Sequence, residues 1–445
     1  MVWRTIITSK KYCIQMIEED ILKKLKNEVD DVIVMSGESN SSHIKFVNNK
    51  IAKTGTEILK NISIFAVWKK RVMFTSLKDF DQNTIDKTIN NLLKFIKSLQ
   101  PKEDYYGIAK GPFKYKDIPG LYDKSLIHVN QIDLVEKAIN AADVKRCSGD
   151  LILSESNSRL IGSNNVDTST KETNAHFSIR CFMDKEATGH QVISSPTLKN
   201  FDVEKTARIA GEIAKMARNP IETVSGKYDV VFHPMAGAAL LETIGSSASA
   251  FNVSSKMSFL ENKIGKKLGN FTLVDNPTIP GGIGSMKQDS EGVPTNKTTI
   301  IDKGTLKTYL HNTSTAKKFK TKTTANAGLI TPEFFNLVLE PGKNSFKKIL
   351  PDKGIYITNV WYTRFNNYST GDFSTIPRDG IFLIKNGEIS QPIKNIRVSD
   401  NMLNIMKNMS QIANDSQQIL SWEVGSPVTT PSFLVKSVNI TKPTN

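Results

Sequence analysis

The residues able to do chemistry are few in this chain, which has six histidines and three cysteines in 445 residues. Glu242 is the first of them. It lies in Tyr228–Phe251, YDVVFHPMAGAALLETIGSSASAF, a stretch otherwise built of small and apolar residues around it. A carboxylate there is either a solvated helix residue, the commoner case, or one that faces a cleft. His233 precedes it at a strand-to-helix turn, and His311 is the best placed of the other histidines. Three such side chains with one open position would make a hydrolytic zinc site. His233, Glu242 and His311 are therefore one candidate ligand set. Asp289 and Glu291 stand two apart in the glycine-rich segment Phe271–Pro294 and can project on one side of an extended chain. Carboxylate metal sites need more oxygens than that, so an ordered turn is expected. Gly281 and Gly282 in the same segment allow backbone to approach a ligand or another chain closely. Cys13, Cys147 and Cys181 are far apart with no CxxC or Cys/His cluster, which argues against a disulfide framework or a zinc finger. No GxSxG elbow and no phosphate-loop motif occur.

Elements must position these groups. Val230-Val231-Phe232 reads as a short strand, Pro234 marks a turn, and a helix comes next. Its apolar face is Ala236, Leu240, Ile244, Ala248 and Phe251. Glu242 falls about 200° round the helix from Leu240, off that stripe. Before this stretch, helical periodicity marks Ile14–Lys26, Thr84–Leu99, Gln131–Ala142 and Phe201–Arg218. Strand patterns mark Asp31–Ser36, His43–Val47, Ile62–Val67, Arg71–Thr75, Asp150–Ser156, Ser158–Gly162 and Ala175–Met183, with a hairpin turn at Asn48-Asn49. Gln100–Leu121 is loop-like. After the central stretch come strands at Lys297–Ile301, Thr305–Tyr309, Phe335–Leu339, Gly354–Val360, Gly380–Lys385, Glu388–Gln391 and Phe433–Val438, and a helix at Leu403–Ile412. Asn386-Gly387 is a hairpin signal. No internal repeat is apparent. The pattern predicts an α+β fold of two domains. Residues 1–222 form an N-terminal helix and β-hairpin domain, 223–445 a strand-rich C-terminal domain, and the boundary falls in Pro220–Lys227.

Composition sets limits. Hydrophobic residues at 39% and charged residues at 23% suit a globular chain with a sizeable core. No apolar run approaches a membrane span and the first residues carry no secretory core, so a cytoplasmic location without membrane contact is expected. The net charge is +15, which favours anionic partners. The lysines are spread along the chain and no aromatics are interleaved with a basic cluster, so nucleic-acid binding is not expected.

The central stretch and the residues C-terminal to it resemble the TldD/PmbA family, the "modulator of DNA gyrase" proteins of metallopeptidase type. The likeness is densest in VDNPTIPGG, DSEGVPT, LHNTSTAKK, Gly371–Ser374 (GDFS) and Arg378–Asn395. IKFVNNKI, Ile44–Ile51, is similar to the N-terminal half of that family. In its TldD kind, His-Glu-x-x-x-His supplies two zinc ligands and the catalytic base, and a late cysteine completes the site. Here the matching residues are Leu241-Glu242-Thr243-Ile244-Gly245-Ser246, so Glu242 remains while Leu241 and Ser246 stand at the ligand positions. Leucine has no donor atom and serine is rarely a zinc ligand. Gly245 could supply the bend that a ligand pair five apart would need. Ser421–Pro431, SWEVGSPVTTP, has no cysteine. The resemblance thus implies the PmbA/TldE kind. Such a chain holds no cofactor of its own and is a non-catalytic partner of a zinc-bearing TldD-like subunit, acting on short or unfolded peptides. Gly281, Gly282, Asp289 and Glu291 would then line the peptide chamber. Two alternatives are an active metallopeptidase using His233, Glu242 and His311, and a gyrase-associated modulator.

Overall fold

The computed structural model describes residues 14–442; Cys13 lies outside them. The first half contains α1 (Ile14–Leu25), β1 (Asp31–Val47), β2 (Lys50–Trp68), β3 (Arg71–Leu77), α2 (Gln82–Ser98), α3 (Lys124–His128), α4 (Gln131–Ala142), β4 (Arg146–Gly162), β5 (Val166–Phe182), β6 (Thr188–Ser195) and α5 (Val203–Met216). The six strands form one antiparallel sheet in the order β3-β2-β1-β4-β5-β6. Asp31–Ser36 and His43–Val47, expected as two strands, are one strand of 17 residues, and Asp150–Gly162 likewise lies within a single strand. The polar residues between the expected pieces hide the alternation, yet their backbone is paired on both sides: Gly37 faces Asn61 and Ser158. Those pairings satisfy the peptide groups whatever the side chains are.

This half is an internal repeat that its residues do not reveal. Helix, three strands, helix occurs twice, as α1-β1-β2-β3-α2 and α4-β4-β5-β6-α5, with β1 and β4 paired at the centre. Both helix pairs cover one sheet face, at opposite ends. Ile17, Ile21, Leu92 and Ile96 pack on Val32, Val34, Ile62 and Ile64. Val135, Ala138, Ala207 and Ala210 pack on Ile44, Phe46, Leu151 and Phe177.

The second half contains β7 (Ile221–Glu222), β8 (Gly226–Phe232), α6 (Pro234–Ser247), α7 (Ala250–Ser254), β9 (Leu273–Asp275), β10 (Thr298–Asp302), β11 (Thr305–Leu306), α8 (Thr313–Lys318), β12 (Leu337–Leu339), α9 (Phe346–Ile349), β13 (Lys353–Asn367), β14 (Asp372–Lys385), β15 (Glu388–Lys394), β16 (Arg397–Asn401), α10 (Met402–Asn408), β17 (Met409–Ile412), β18 (Gln417–Ile419), β19 (Val428–Thr430) and β20 (Phe433–Thr441). A larger sheet runs β13-β8-β20-β16-β14-β15-β7 and a smaller one β11-β10-β9-β12-β19-β18. The α+β reading, with a strand-rich C-terminal part, agrees with this architecture. The helix expected over Leu403–Ile412 stops at Asn408, because Met409–Ile412 pairs with β20 instead.

α6 lies between the two sheets, against β8 and β13 on one side and β12, β18 and β19 on the other. It is buried nearly all round rather than along one stripe, as a helix enclosed by two layers must be. It ends at Ser247, and Phe251 belongs to the separate α7. Small residues let the sheets close on it. A Cβ on Gly237 would stand 2.5 Å from the Phe433 ring, and one on Gly245 would stand 2.8 Å from Phe334. Gly245 therefore makes room for a neighbour; it is not a hinge.

The segment Gln100–Leu121 has no helix or strand, yet it straps the halves together. Gly111 N–H donates to Asn164 O (2.7 Å) in the first half. Ala109 N–H donates to Glu291 Oε2 (3.1 Å), Tyr115 O–H to Gly292 O (2.8 Å), and Gly281 N–H to Pro119 O (2.9 Å) in the second. Asp289 accepts from the amides of Glu291, Val293 and Ala327, so an ordered turn is what forms. Burial pushes Asp289 up to about 6. Burial, then the nearby Asp289 charge, pushes Glu291 up to about 8. A raised carboxylate pKa means that the folded chain holds the proton more tightly than the unfolded one. Stability is then lost as pH rises from about 4.5 through about 8. Glu291→Gln keeps an acceptor for Ala109 and removes the charge. Urea unfolding should show the variant gaining stability over the parent at pH 8.5, on the order of a few kcal/mol, and little at pH 4.5. Equal pH dependence of the two proteins would refute this.

Candidate functional site

The site is built on α6. β8 carries the chain through the core to His233, whose Nδ1 accepts from Met235 N–H (3.3 Å) and so caps the helix. Pro234 at the first helical position fits, since its missing N–H would have no partner inside the helix. Burial holds the His233 imidazole down at about 4, so it is neutral at neutral pH. Two and a half turns later Glu242 reaches sideways to the chain segment before β19. Its Oε1 accepts from Ser426 N–H (3.0 Å). Burial raises its pKa; the amides of Ser426 and Gly425 oppose that, and Glu423 adds to it. A Cβ on Gly425 would lie 3.7 Å from the same oxygen.

Glu423 connects this carboxylate to a group of residues that periodicity and motif do not single out. It accepts from Thr363 N–H (2.5 Å) and lies 3.7 Å from Arg364. The β13–β14 register shifts between Trp361 and Arg364. Tyr362 there has φ of 60°, a conformation a bulky side chain rarely adopts without a structural reason. Bulges of this kind re-aim side chains. Here Trp361, Tyr362 and Trp422 meet edge to face, with centroids 5.2 to 6.3 Å apart, and Trp422 is 54% exposed. The guanidinium groups of Arg180 and Arg378 lie 4.7 and 5.4 Å from the Trp361 ring. The signal the sequence does carry is WYTR beside SWEVG, two aromatic–charged runs inside strand-rich sequence. The arrangement offers one proton-accepting carboxylate beside an aromatic and cationic rim that can hold a polar, extended ligand.

The expected ligand set is not brought together. His233 and Glu242 are nine residues apart on one straight element, roughly 13 Å along its axis. His311 lies elsewhere, its ring 5.3 Å from Phe319 and its Nδ1 3.3 Å from Thr315 Oγ1. Burial holds it too at about 4. Among the described residues, no group of three or more His, Cys, Asp and Glu side chains could hold a metal ion. The ligand positions of the TldD kind do not fit zinc either. Leu241 is 0% exposed in the main core, whereas Ser246 lies on the exposed side of the helix. Gly281 and Gly282 pack near Gly120, Ser285 and Asn336, and the carboxylates of Asp289 and Glu291 are buried in the strap contact.

One constellation looks hydrolytic and is not. Ser178 Oγ is 3.1 Å from His190 Nε2, and Asp379 lies 4.0 Å from His190 Nδ1. Asn359 Nδ2 stands between them, 3.1 Å from Nδ1 and 3.2 Å from Asp379. An amide nitrogen only donates, so Nδ1 accepts and Nε2 carries the proton that bonds Ser178. The histidine cannot take a proton from that serine. Arg180 donates to Asp379 (2.6 Å), so this network fastens β5 and β6 to β14.

Comparison with known proteins reaches the same helix. Residues 225–442 match the PmbA/TldA metallopeptidase C-terminal domain. An uncharacterized protein of Methanocaldococcus jannaschii is 28% identical over 416 residues, 90% of this chain and 95% of that one. A metalloprotease of the same archaeon is 27% identical over 414 residues, 86% and 89% of the two chains. The crystal structure of TldE from Thermococcus kodakarensis superposes with a TM-score of 0.85 at 21% identity, covering 96% of this chain and all of that one; at that identity it shows a shared fold.

The two aligned positions should behave oppositely. Leu241→Ala should cost about 2–5 kcal/mol in urea unfolding. Ser246→Ala should stay within about 0.5 kcal/mol. Similar losses at both would mean that the helix does not sit as described.

Proposed function

The chain belongs to the TldD/PmbA family, and on that premise we propose that it is the non-catalytic, TldE-like subunit of a two-subunit zinc metallopeptidase that degrades short or unfolded peptides. The observation that carries this reading is the state of α6. Glu242 keeps its place and its amide partners in the Glu423–Ser426 segment. The position before it is core leucine, and that segment brings no thiol. A carboxylate can accept a proton, but with nothing to activate water it leaves a poor nucleophile toward an amide. The zinc and the reacting groups belong to a TldD-like partner, and this chain holds no cofactor.

This chain supplies walls and substrate contacts. The rim of Trp361, Tyr362 and Trp422 gives large, stiff surfaces for a peptide, with Arg364 and Arg378 beside it for acidic groups. In the turn of Gly281, Gly282, Asp289 and Glu291 only Gly281 is partly exposed, so Gly281 is the member left to face the chamber. The complex works in the cytoplasm on peptide, without nucleic acid or membrane. No helix among the described residues is long and apolar enough to cross a membrane.

Peptide hydrolysis by this chain, by a TldD-like subunit and by their mixture tests the reading. Turnover should appear only in the mixture, and Glu242→Gln in this chain should leave it intact. Trp422→Ala should raise KM with little change in kcat. Chelator-sensitive cleavage by this chain alone, lost in Glu242→Gln, would refute the proposal.

A further inference from the structure

The outer edge of β2 is free over a long stretch. β1 pairs with β2 along its whole length, but β3 pairs only with Ile62–Trp68. Over Lys50–Asn61 no described residue pairs with the other side. Every residue from Ala52 to Asn61 is exposed, including Ile58 at 66% and Leu59 at 55%. From Lys53 onward, past a β-bulge at Ala52, this is a regular edge with exposed apolar side chains, a template for another strand.

We propose that this edge pairs antiparallel with the same edge of a second copy of the chain, centred on Gly55, joining the two N-terminal sheets into one. The register is set by geometry. In an antiparallel pair, opposing residues both bond across or both point away. Two identical strands can therefore pair only where the residue numbers sum to an even value. Ala52 is an extra residue in β2, since Lys45 faces Lys53 and Phe46 faces Ile51, so this rule applies to the run from Lys53 onward. Centring on Gly55 there sets Lys53 opposite Glu57 and Thr54 opposite Thr56. Each pairing occurs twice by symmetry. Lys53 and Glu57 have no ion-pair partner among the described residues, and Lys45 of β1 stands directly beside Lys53, so an acid on the open side relieves a like-charge pair. A centre on Glu57 opposes it to its own copy. A centre on Thr56 sets Lys53 against Leu59, and one on Thr54 sets Lys53 against Gly55, which leaves its charge beside Lys45 unrelieved. Lys50 lies beyond the bulge, and Lys60 is already paired with Glu38 at 3.1 Å. The space around Gly55 is open: a Cβ there meets nothing within 4 Å. This self-pairing is independent of whether the chain also serves a TldD-like subunit.

Disulfide trapping tests the register in the full chain with Cys13→Ser; Cys147 and Cys181 are buried. Gly55→Cys should link into a covalent dimer under mild oxidation, because the two copies face each other. Leu59→Cys should not, since its copies lie about 27 Å apart along the strands. Light scattering of the unmodified chain should show a dimer. Glu57→Lys should weaken it about tenfold or more, since it replaces two attractive pairs by two repulsive ones, and Lys53→Glu combined with Glu57→Lys should restore it. A monomer at tens of micromolar, equal trapping by both cysteines, or no rescue by the double reversal would each overturn the proposal. So would an edge that pairs only with a TldD-like chain or with the first residues of its own chain.

Discussion

Enclosure of α6 between two sheets is the constraint on which the rest of the C-terminal part depends. A helix with sheet on both sides keeps only a narrow solvent strip, here Ser246 with the partly exposed Glu242 and Thr243, so it carries neither a broad polar face nor large side chains everywhere. Ala236, Gly237, Ala238 and Ala239 let Phe433 and its neighbours approach, and Gly245 receives Phe334 and Leu337. The one carboxylate in this setting must find donors or carry the cost of an unpaired buried charge. Glu242 finds the backbone amides of Gly425 and Ser426. The loop before β19 is thus tied to the helix by the same requirement that keeps the helix buried.

The histidines show how burial assigns roles. His233 caps α6, His190 bridges Ser178 and Asn359, and His311 lies against Phe319. Burial favours the neutral imidazole in each. A neutral ring offers one donor and one acceptor, and each of these rings spends an acceptor or a donor on its own neighbours. They stabilise local structure and do not converge.

The two halves are joined by polar contacts as much as by apolar packing. The strap at Gln100–Leu121 reaches the N-terminal sheet through Gly111 and the C-terminal turn through Ala109 and Tyr115. The Arg180–Asp379 pair and the Asn359 bridge link β5 and β6 to β13 and β14. Trp361, at the bulge in β13, sits on that same seam through Arg180. The aromatic rim is therefore held by both halves.

Sequence by itself determined the elements whose periodicity is local. The helix at Gln131–Ala142, the strand and helix around His233, the Asn386-Gly387 hairpin and the ordered turn at Asp289 were all legible. So was the family, through motifs carried by residue type. Tertiary structure alone decided the rest. The 17-residue strands were hidden because polar residues such as Gly37–Ser42 break the alternation, while neighbours on both sides still pair their backbone. The repeat in the first half was hidden because it is kept in element order and not in residues. The burial of α6 nearly all round was hidden because alanine and glycine suit an exposed helix and an enclosed one alike. The scatter of His233, Glu242 and His311 was hidden for a simpler reason: distance along a chain says nothing of distance across a core until the sheets on either side are in place.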